Sequence, residues 1–533
     1  MATPSLKELA ALSPFELKNF LAEAASHNGA QIMLNAGRGN PNFLATVPRD
    51  GFFQFGLFAM REAERSFSYM PEGVGGFPQR EGLEGRFDIF VNEHRDVPGV
   101  AFIRNAVSYV RDQLGIPAGD FIYEMSEAIL GCNYPVPDRM LALSEKIVAE
   151  YLRKEMIGNV PFEGGLDLFA VEGGTAAISY LFTTLKENHL LAPGDSIALG
   201  TPIFTPYLEI PELSDYRLTE VNIDADAALN WQIPVKELEK LLNPKVKAFF
   251  LVNPSNPPSV KLSAESLRYL ADVVKKRPDL LILTDDVYGT FADDFASVFA
   301  YCPQNTILVY SYSKYFGATG WRLGVIATHR SSMLDKMIAG LPERLLKQLD
   351  KRYASVTTDV RNFKFIDRLV AESRTVALNH TAGLSTPQQA QMVFFSLFSL
   401  MDEEECYKKA MKRLIRRRKQ ALYKAVPVKP PQDPNSVDYY HLLDMETIGK
   451  QMYDPKFIDW LLGRLKPNEF LFNLADRAGV VLLPSSGFGG ASHPSARVSL
   501  ANLTEVQYVQ IGVALKAVMD EYYGQYKRSR KKK

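Results

Sequence analysis

A lysine set among hydroxyls and glycines carries the clearest chemical signal in the chain. The stretch Tyr310-Ser311-Tyr312-Ser313-Lys314-Tyr315-Phe316-Gly317-Ala318-Thr319-Gly320-Trp321-Arg322 follows the apolar run Thr306-Ile307-Leu308-Val309, which reads as a buried strand. An amine at such a strand end can capture a carbonyl when its neighbours keep it partly neutral. The hydroxyls of Ser311 and Ser313 and the guanidinium of Arg322 are suited to a phosphate. A single lysine after a strand is most often a solvated surface residue. What surrounds Lys314 therefore decides the reading.

Four further motifs sit at strand ends. Val171-Glu172-Gly173-Gly174-Thr175 opens a helical pattern; glycines there let backbone N–H groups approach a phosphate, and Thr175 adds a hydroxyl. The same letters also occur as a plain strand-to-helix turn. Asn253-Pro254-Ser255-Asn256-Pro257-Pro258-Ser259 is a rigid turn able to hold an Asn amide against a phenolic oxygen, and turn chemistry alone explains it equally well. Thr284-Asp285-Asp286-Val287-Tyr288 places a carboxylate just beyond a buried run, where it needs a cationic or hydrogen-bonded partner. A pyridinium nitrogen is one such partner, with Tyr288 in reach of the same ring. Thr201-Pro202-Ile203-Phe204-Thr205-Pro206-Tyr207 offers Phe204 either as a stacking face or as core.

These loops need a frame. Apolar runs at Leu166–Val171, Ser196–Leu199, Lys247–Val252, Leu280–Thr284, Thr306–Tyr310 and Gly324–Thr328 alternate with helical patterns, which predicts an α/β fold with a mostly parallel sheet. Residues 5–26 read as an amphipathic helix and Gln31–Leu34 as a short extended segment running into the turn-rich loop 35–42. Residues 331–375 and 386–425 read as helical, with the acidic run Asp402–Glu405 and the basic run Arg416–Lys419 on solvated faces. The Pro-rich stretch 426–431 reads as a linker or turn into a separate C-terminal unit, and the basic end Lys527–Lys533 as a disordered, solvated tail.

At 533 residues the chain exceeds one ordinary domain. Its 61 basic and 61 acidic residues balance, which argues against a broad surface for nucleic acid or anionic membrane. Three cysteines, Cys132, Cys302 and Cys406, are too few for a disulfide framework or a Cys-based zinc site. The seven histidines form no HExxH-type pair, so no metal is called for. No stretch approaches the roughly 20 apolar residues of a membrane span, and the first residues lack a signal-peptide core; a cytoplasmic protein is expected.

The order Gly-Gly-Thr, Asn-Pro-x-Asn-Pro, Asp-Asp-Val-Tyr, then Ser-x-Ser-Lys with Arg322 following Lys314, resembles the pyridoxal-phosphate enzymes of fold type I, the aspartate aminotransferase class. The resemblance implies pyridoxal 5'-phosphate as cofactor and Lys314 as Schiff-base lysine and catalytic base. It implies Asp285 at the pyridinium nitrogen and Asn256 and Tyr288 at the ring oxygen, with Asn256 also facing substrate. Phe204, read from its own motif, is the candidate stacking face for that ring. Gly174, Thr175, Ser311, Ser313 and Arg322 would hold the phosphate. The segment Ser68-Tyr69-Met70-Pro71-Glu72-Gly73 is similar to one whose Tyr reaches the neighbouring subunit's phosphate, which makes Tyr69 a candidate and a homodimer the minimal unit. Ser495-Ala496-Arg497-Val498-Ser499 resembles the strand whose arginine grips the substrate α-carboxylate. Gly39 matches the loop over the substrate. The fold implied is a large domain with a mostly parallel central sheet and a smaller α+β domain built from both chain ends. Its expected divisions are 1–65 (arm and part of the small domain), 66–350 (large domain) and 351–533 (small domain with insertions).

The chain is considerably longer than an ordinary member of that class, with extra sequence at about 76–160, 331–375 and 430–480. Its whole-chain pattern resembles the aspartate 4-decarboxylase branch, which implies L-aspartate as substrate, β-decarboxylation to L-alanine and CO2, and a secondary aminotransferase activity. The alternative is a plain aminotransferase acting on aspartate or an aromatic amino acid. Arg38, inside the substrate-facing loop, is a candidate for orienting the β-carboxylate. Tyr134 in Asn133-Tyr134-Pro135-Val136-Pro137 is either part of the substrate cavity or a loop aromatic packed on the surface.

Overall fold

The computed structural model describes residues 14–27, 33–213, 216–374, 383–464, 468–484, 488 and 495–531. A helix spans Pro14–His27; the earlier part of the expected 5–26 helix, together with Gln31 and Ile32, lies outside the described residues. Strand β1 is Leu34–Asn35. The expected α/β sheet is present: β2 (Leu166–Val171), β3 (Ser196–Thr201), β4 (Thr219–Asp224), β5 (Val246–Val252), β6 (Leu281–Asp285), β7 (Thr306–Ser311) and β8 (Gly324–His329) form seven strands in the order β2-β8-β7-β6-β5-β3-β4. Only β8 runs antiparallel to its neighbours, β2 and β7. The C-terminal ends of β2, β3, β5, β6 and β7 therefore share one edge, where open α/β sheets place their ligands.

The core strands read as apolar runs because both sheet faces are covered by helices. All residues of β2, β6, β7 and β8 are buried. β4 was not among the expected strands. It is the sheet edge, Thr219, Glu220 and Asn222 are exposed, and only Ile223 is fully buried.

The extra sequence at 76–160 builds four α-helices, Leu83–Glu93, Val100–Asp112, Ala118–Leu130 and Ala142–Leu152. They pack with Val47–Ser66 and Thr386–Met401 around an aromatic cluster in which Phe55 meets Phe87 at 5.4 Å and Phe394 at 5.5 Å. Residues 331–374 supply the helices Met333–Ala339, Glu343–Tyr353 and Phe365–Arg374. In the C-terminal part, β9 (Tyr440–Asp444), β11 (Leu483–Pro484) and β12 (Ser495–Ser499) make an antiparallel sheet, while β10 (Val480–Val481) pairs in parallel with β1. Both chain ends thus meet in one small unit. No helix among the described residues is long and apolar enough to cross a membrane.

Three sequence expectations change. The acidic run Asp402–Glu405 is not a helix face but the turn between the helices Thr386–Met401 and Cys406–Tyr423. Asp402 accepts from the N–H groups of Cys406 and Tyr407, both at 2.8 Å, satisfying free donors of the second helix. The basic run is only half solvated. Arg418 and Lys419 are buried, Arg418 donating to Leu500 O and Asn42 Oδ1 and Lys419 pairing with Asp438. The basic end is helical through Lys531. Tyr526 is buried against Phe457 and Trp460, and Lys527 lies 4.1 Å from the Tyr523 ring, so aliphatic stems cover aromatic surface while the charges stay wet.

Candidate active site

The loop 37–45, the strand ends of the large sheet and the small sheet converge on Lys314. Lys314 follows β7 in a tight turn, half-buried, and its Nζ donates to Gly39 O at 3.3 Å. The loop is tied down over this turn. Ala45 N–H donates to Phe316 O, and the Arg49 guanidinium reaches Phe316 O at 3.0 Å and Gly317 O at 2.8 Å. Gly317 has φ +62°, and a Cβ there would overlap Phe43 O, so this close approach demands glycine.

Asp285 ends β6 and is buried. Burial pushes its carboxyl up to about 6, against the opposing effects of the Val287 N–H, the Lys314 charge and Tyr207. The Val287 N–H reaches it at 3.3 Å. The Tyr207 hydroxyl faces it, buried, without a partner in hydrogen-bond geometry. A carboxyl held this way lacks a strong cationic partner, and a protonated ring nitrogen would supply one. Asn256 is buried with its Oδ1 accepting from Arg497 at 3.0 Å.

At the far end of the site, Gly174 begins the helix Gly174–Glu187. A Cβ on Gly174 would lie 3.9 Å from that of Ser311, and one on Gly173 would meet the Arg322 guanidinium at 2.6 Å. Ser311 and Ser313 are buried and share a hydrogen bond of 2.9 Å. Thr175 and Arg322 are exposed at the rim, Arg322 donating to the carbonyls of Thr319 and Glu172. A helix N-terminus, two hydroxyls and a guanidinium make a cup for a dianionic phosphate.

Arg497 lies on β12, 5% exposed, and donates to Gly37 O at 2.8 Å besides Asn256. Its Nε is buried without a partner, and among the described residues no carboxylate pairs with it. A buried cation of this kind is costly unless an anion arrives. A substrate carboxylate fits that need through a planar two-point contact. The donor set thus suits pyridoxal phosphate: an amine, a carboxyl short of a cation, an anion cup and a buried arginine.

The structure brings together Lys314, Asp285, Asn256, Tyr288, Gly174, Ser311, Ser313, Arg322, Arg497 and Gly39. Phe204 is half-buried against the core. Arg38 is exposed beside Gly39. Within one chain Tyr69 and Tyr134 stand out in solvent, 77% and 64% exposed. Sequence reasoning missed Tyr439 and Tyr440 at the start of β9. Tyr439 donates to Gly39 O at 2.7 Å, and Tyr440 accepts from the Tyr288 hydroxyl at 3.1 Å. Gly39→Ala would drive a methyl into the Tyr440 hydroxyl and bring it 3.4 Å from Lys314 Nζ. Overpacking of about 1–3 kcal/mol is expected, read as a lowered Tm together with at least a tenfold loss of turnover, roughly what a misplaced catalytic group costs.

This sheet order, with its lysine, carboxylate and phosphate cup on one edge, defines a fold shared with solved aminotransferases. A Thermus thermophilus aspartate aminotransferase mutant superposes with TM-score 0.56 at 16% identity, covering 97% of this chain and 100% of that one. Bna3p, a putative kynurenine aminotransferase from Saccharomyces cerevisiae, superposes with TM-score 0.59 at 17% identity, covering 98% and 99%. The chain belongs to the aminotransferase class I and II family, whose profile matches residues 133–512, a pyridoxal-phosphate-dependent class. It is 57% identical over 522 residues to a Pseudomonas protein described as a bifunctional aspartate aminotransferase and L-aspartate beta-decarboxylase, covering 98% of each chain.

Proposed function

We propose that this chain removes the β-carboxylate of L-aspartate to give L-alanine and CO2, with transamination of aspartate as a secondary activity. The observation that carries the reading is the 57% identity along 98% of the chain, because the aminotransferase constellation by itself serves both outcomes. When bound, pyridoxal phosphate supplies an aldehyde that condenses with amines and a ring that accepts the electron pair released at Cα.

The residues divide the remaining work. Arg497 holds the α-carboxylate and so orients Cα toward Lys314. Lys314, freed when aspartate takes its place, removes the Cα proton and returns it elsewhere on the same face. Asp285 keeps the ring nitrogen protonated, and Asn256 and Tyr288 hold the ring oxygen. Gly174, Thr175, Ser311, Ser313 and Arg322 retain the phosphate, and Phe204 covers the ring. Tyr69 reaches the phosphate of a second copy, which makes a homodimer the working unit; its exposure in one chain, beside exposed Phe67, Met70 and Val74, supports this. Tyr134 is assigned to the rim of the substrate cavity, and the cytoplasm to the protein.

Loss of CO2 turns an anion into a neutral molecule, so a tight, dry ion pair on the β-carboxylate would stabilise the substrate more than the transition state. Arg38 is exposed, and in that position it orients the group without gripping it. Arg38→Ala is expected to raise KM for aspartate about tenfold with a smaller change in kcat, the pattern of lost uniform binding; unchanged kinetics would remove Arg38 from the site. The whole reading is tested by incubating the cofactor-loaded protein with aspartate and no keto acid. Sustained release of CO2 and alanine is expected. A single turnover that stops is the behaviour of a plain aminotransferase.

A further inference from the structure

The chemistry above leaves one proton without a source: when CO2 departs, Cβ must gain a hydrogen. We propose that the hydroxyl of Tyr440 delivers it. The inference rests on the decarboxylase reading.

Tyr440 opens β9, paired with Ser499 of β12. Its ring lies under the Arg497 guanidinium, 4.2 Å from carbon to centroid. Its hydroxyl borders Gly39, as does Lys314 Nζ. A substrate whose α-carboxylate sits on Arg497 and whose Cα faces Lys314 therefore carries Cβ, one bond further, past the Tyr440 hydroxyl. In the cofactor-free chain the other two phenols donate within the cluster, and with cofactor bound the Tyr288 O–H would turn to the ring oxygen, so neither is left for Cβ. Tyr288 donates to Tyr440 at 3.1 Å, and Tyr439 donates to Gly39 O at 2.7 Å. Because Tyr440 accepts from Tyr288, its own O–H is left to point at a substrate.

The charges around it favour proton release. Burial opposes ionisation of Tyr440, but the cations Lys314 and Arg497 and the Tyr288 hydrogen bond outweigh it, leaving the group below the usual tyrosine value; the Asp285 charge pulls the other way. Tyr288 and Tyr439, buried in the same cluster, are pushed well above that value.

The step balances. The bond between Cβ and the carboxyl carbon breaks, CO2 leaves, and the electron pair stays with the substrate carbons. Cβ then forms a C–H bond with the Tyr440 proton. The phenolate left behind is held by Arg497 and Lys314 and takes a proton from water, the one proton that the overall conversion of aspartate to alanine and CO2 consumes.

Tyr440→Phe keeps the ring, its packing and the contact with Arg497, and removes the acid together with the acceptor of the Tyr288 hydroxyl. In the holoenzyme, alanine formation is expected to fall about 100-fold or more, a typical general-acid contribution, while amino transfer from aspartate to a keto acid stays within about threefold. An ultraviolet pH titration of the protein is expected to lose one tyrosine that ionises before the rest. A parallel fall in both activities, or an unchanged ratio, overturns the assignment. As an independent measure, 3-fluorotyrosine at position 440 is expected to move the pH profile of alanine formation to lower pH without moving that of amino transfer; a stationary profile overturns it. Failure of the unaltered enzyme to release CO2 from aspartate is a different result, and refutes the decarboxylase reading instead.

Discussion

Lys314→Ala is expected to abolish both activities while leaving the fold intact. The side chain is half-buried and makes one long hydrogen bond, Nζ to Gly39 O at 3.3 Å. Its loss should change stability by no more than about 1 kcal/mol. Catalysis is another matter, because the proposed reaction makes this amine both the anchor for the cofactor aldehyde and the base at Cα. Turnover should fall by more than about 10⁴-fold, the upper range for a single acid–base group compounded by the lost covalent link. Lys314→Arg should not rescue it, since a guanidinium is always charged and cannot act as the nucleophile. Borohydride reduction followed by mass mapping gives a check free of kinetics. The reduced cofactor should sit on Lys314 in the parent protein and be absent from the variant. An adduct on another side chain, or activity retained within about tenfold, would refute the role given to Lys314.

That lysine was legible in the sequence for a physical reason. Parallel strands buried on both faces are written as apolar runs, and their C-terminal loops must meet on one edge. Six of the seven strands of the large sheet stand out this way, and with them Gly174, Asn256, Asp285, Ser311 and Lys314. β4 escaped because an edge strand needs only one buried residue, Ile223. Arg497 was named through its resemblance to a known strand; nothing local marks it, since the partners that position it, Gly37 O and Asn256, are remote in the chain. Tyr439 and Tyr440 escaped for the same reason. Their value comes from the β9–β12 register and from a loop some 400 residues earlier, and no periodicity encodes such a meeting. Charge runs misled in the other direction. Arg418 looks like its solvated neighbours Arg416 and Arg417 but turns inward to bind Leu500 O and Asn42, because helix phase and not local composition decides which side a residue takes.

Asp285→Asn separates the cost of the site from its use. In the protein without cofactor, the Asp285 carboxyl is raised from 3.8 to about 6 by burial. A folded-state value above the unfolded one means that the proton is held more tightly in the folded chain. The stability this contributes is present in full below about 4 and is lost as pH rises through about 6. At pH 8 the ionised carboxyl therefore costs the bare fold up to about 3 kcal/mol. The isosteric amide carries no charge, so the cofactor-free variant is expected to match or exceed the parent in Tm at pH 8 and to show less decline between pH 5 and 8. With cofactor the order reverses. In the proposed site the carboxylate would find its cation in the protonated ring nitrogen, and an amide would not hold that proton. Turnover should drop by about 10³-fold or more, the scale on which a buried electrostatic partner acts. The gain in Tm on adding cofactor should shrink accordingly. A variant that is less stable than the parent without cofactor, yet equally stabilised by it, would place the charge of Asp285 outside the cofactor site.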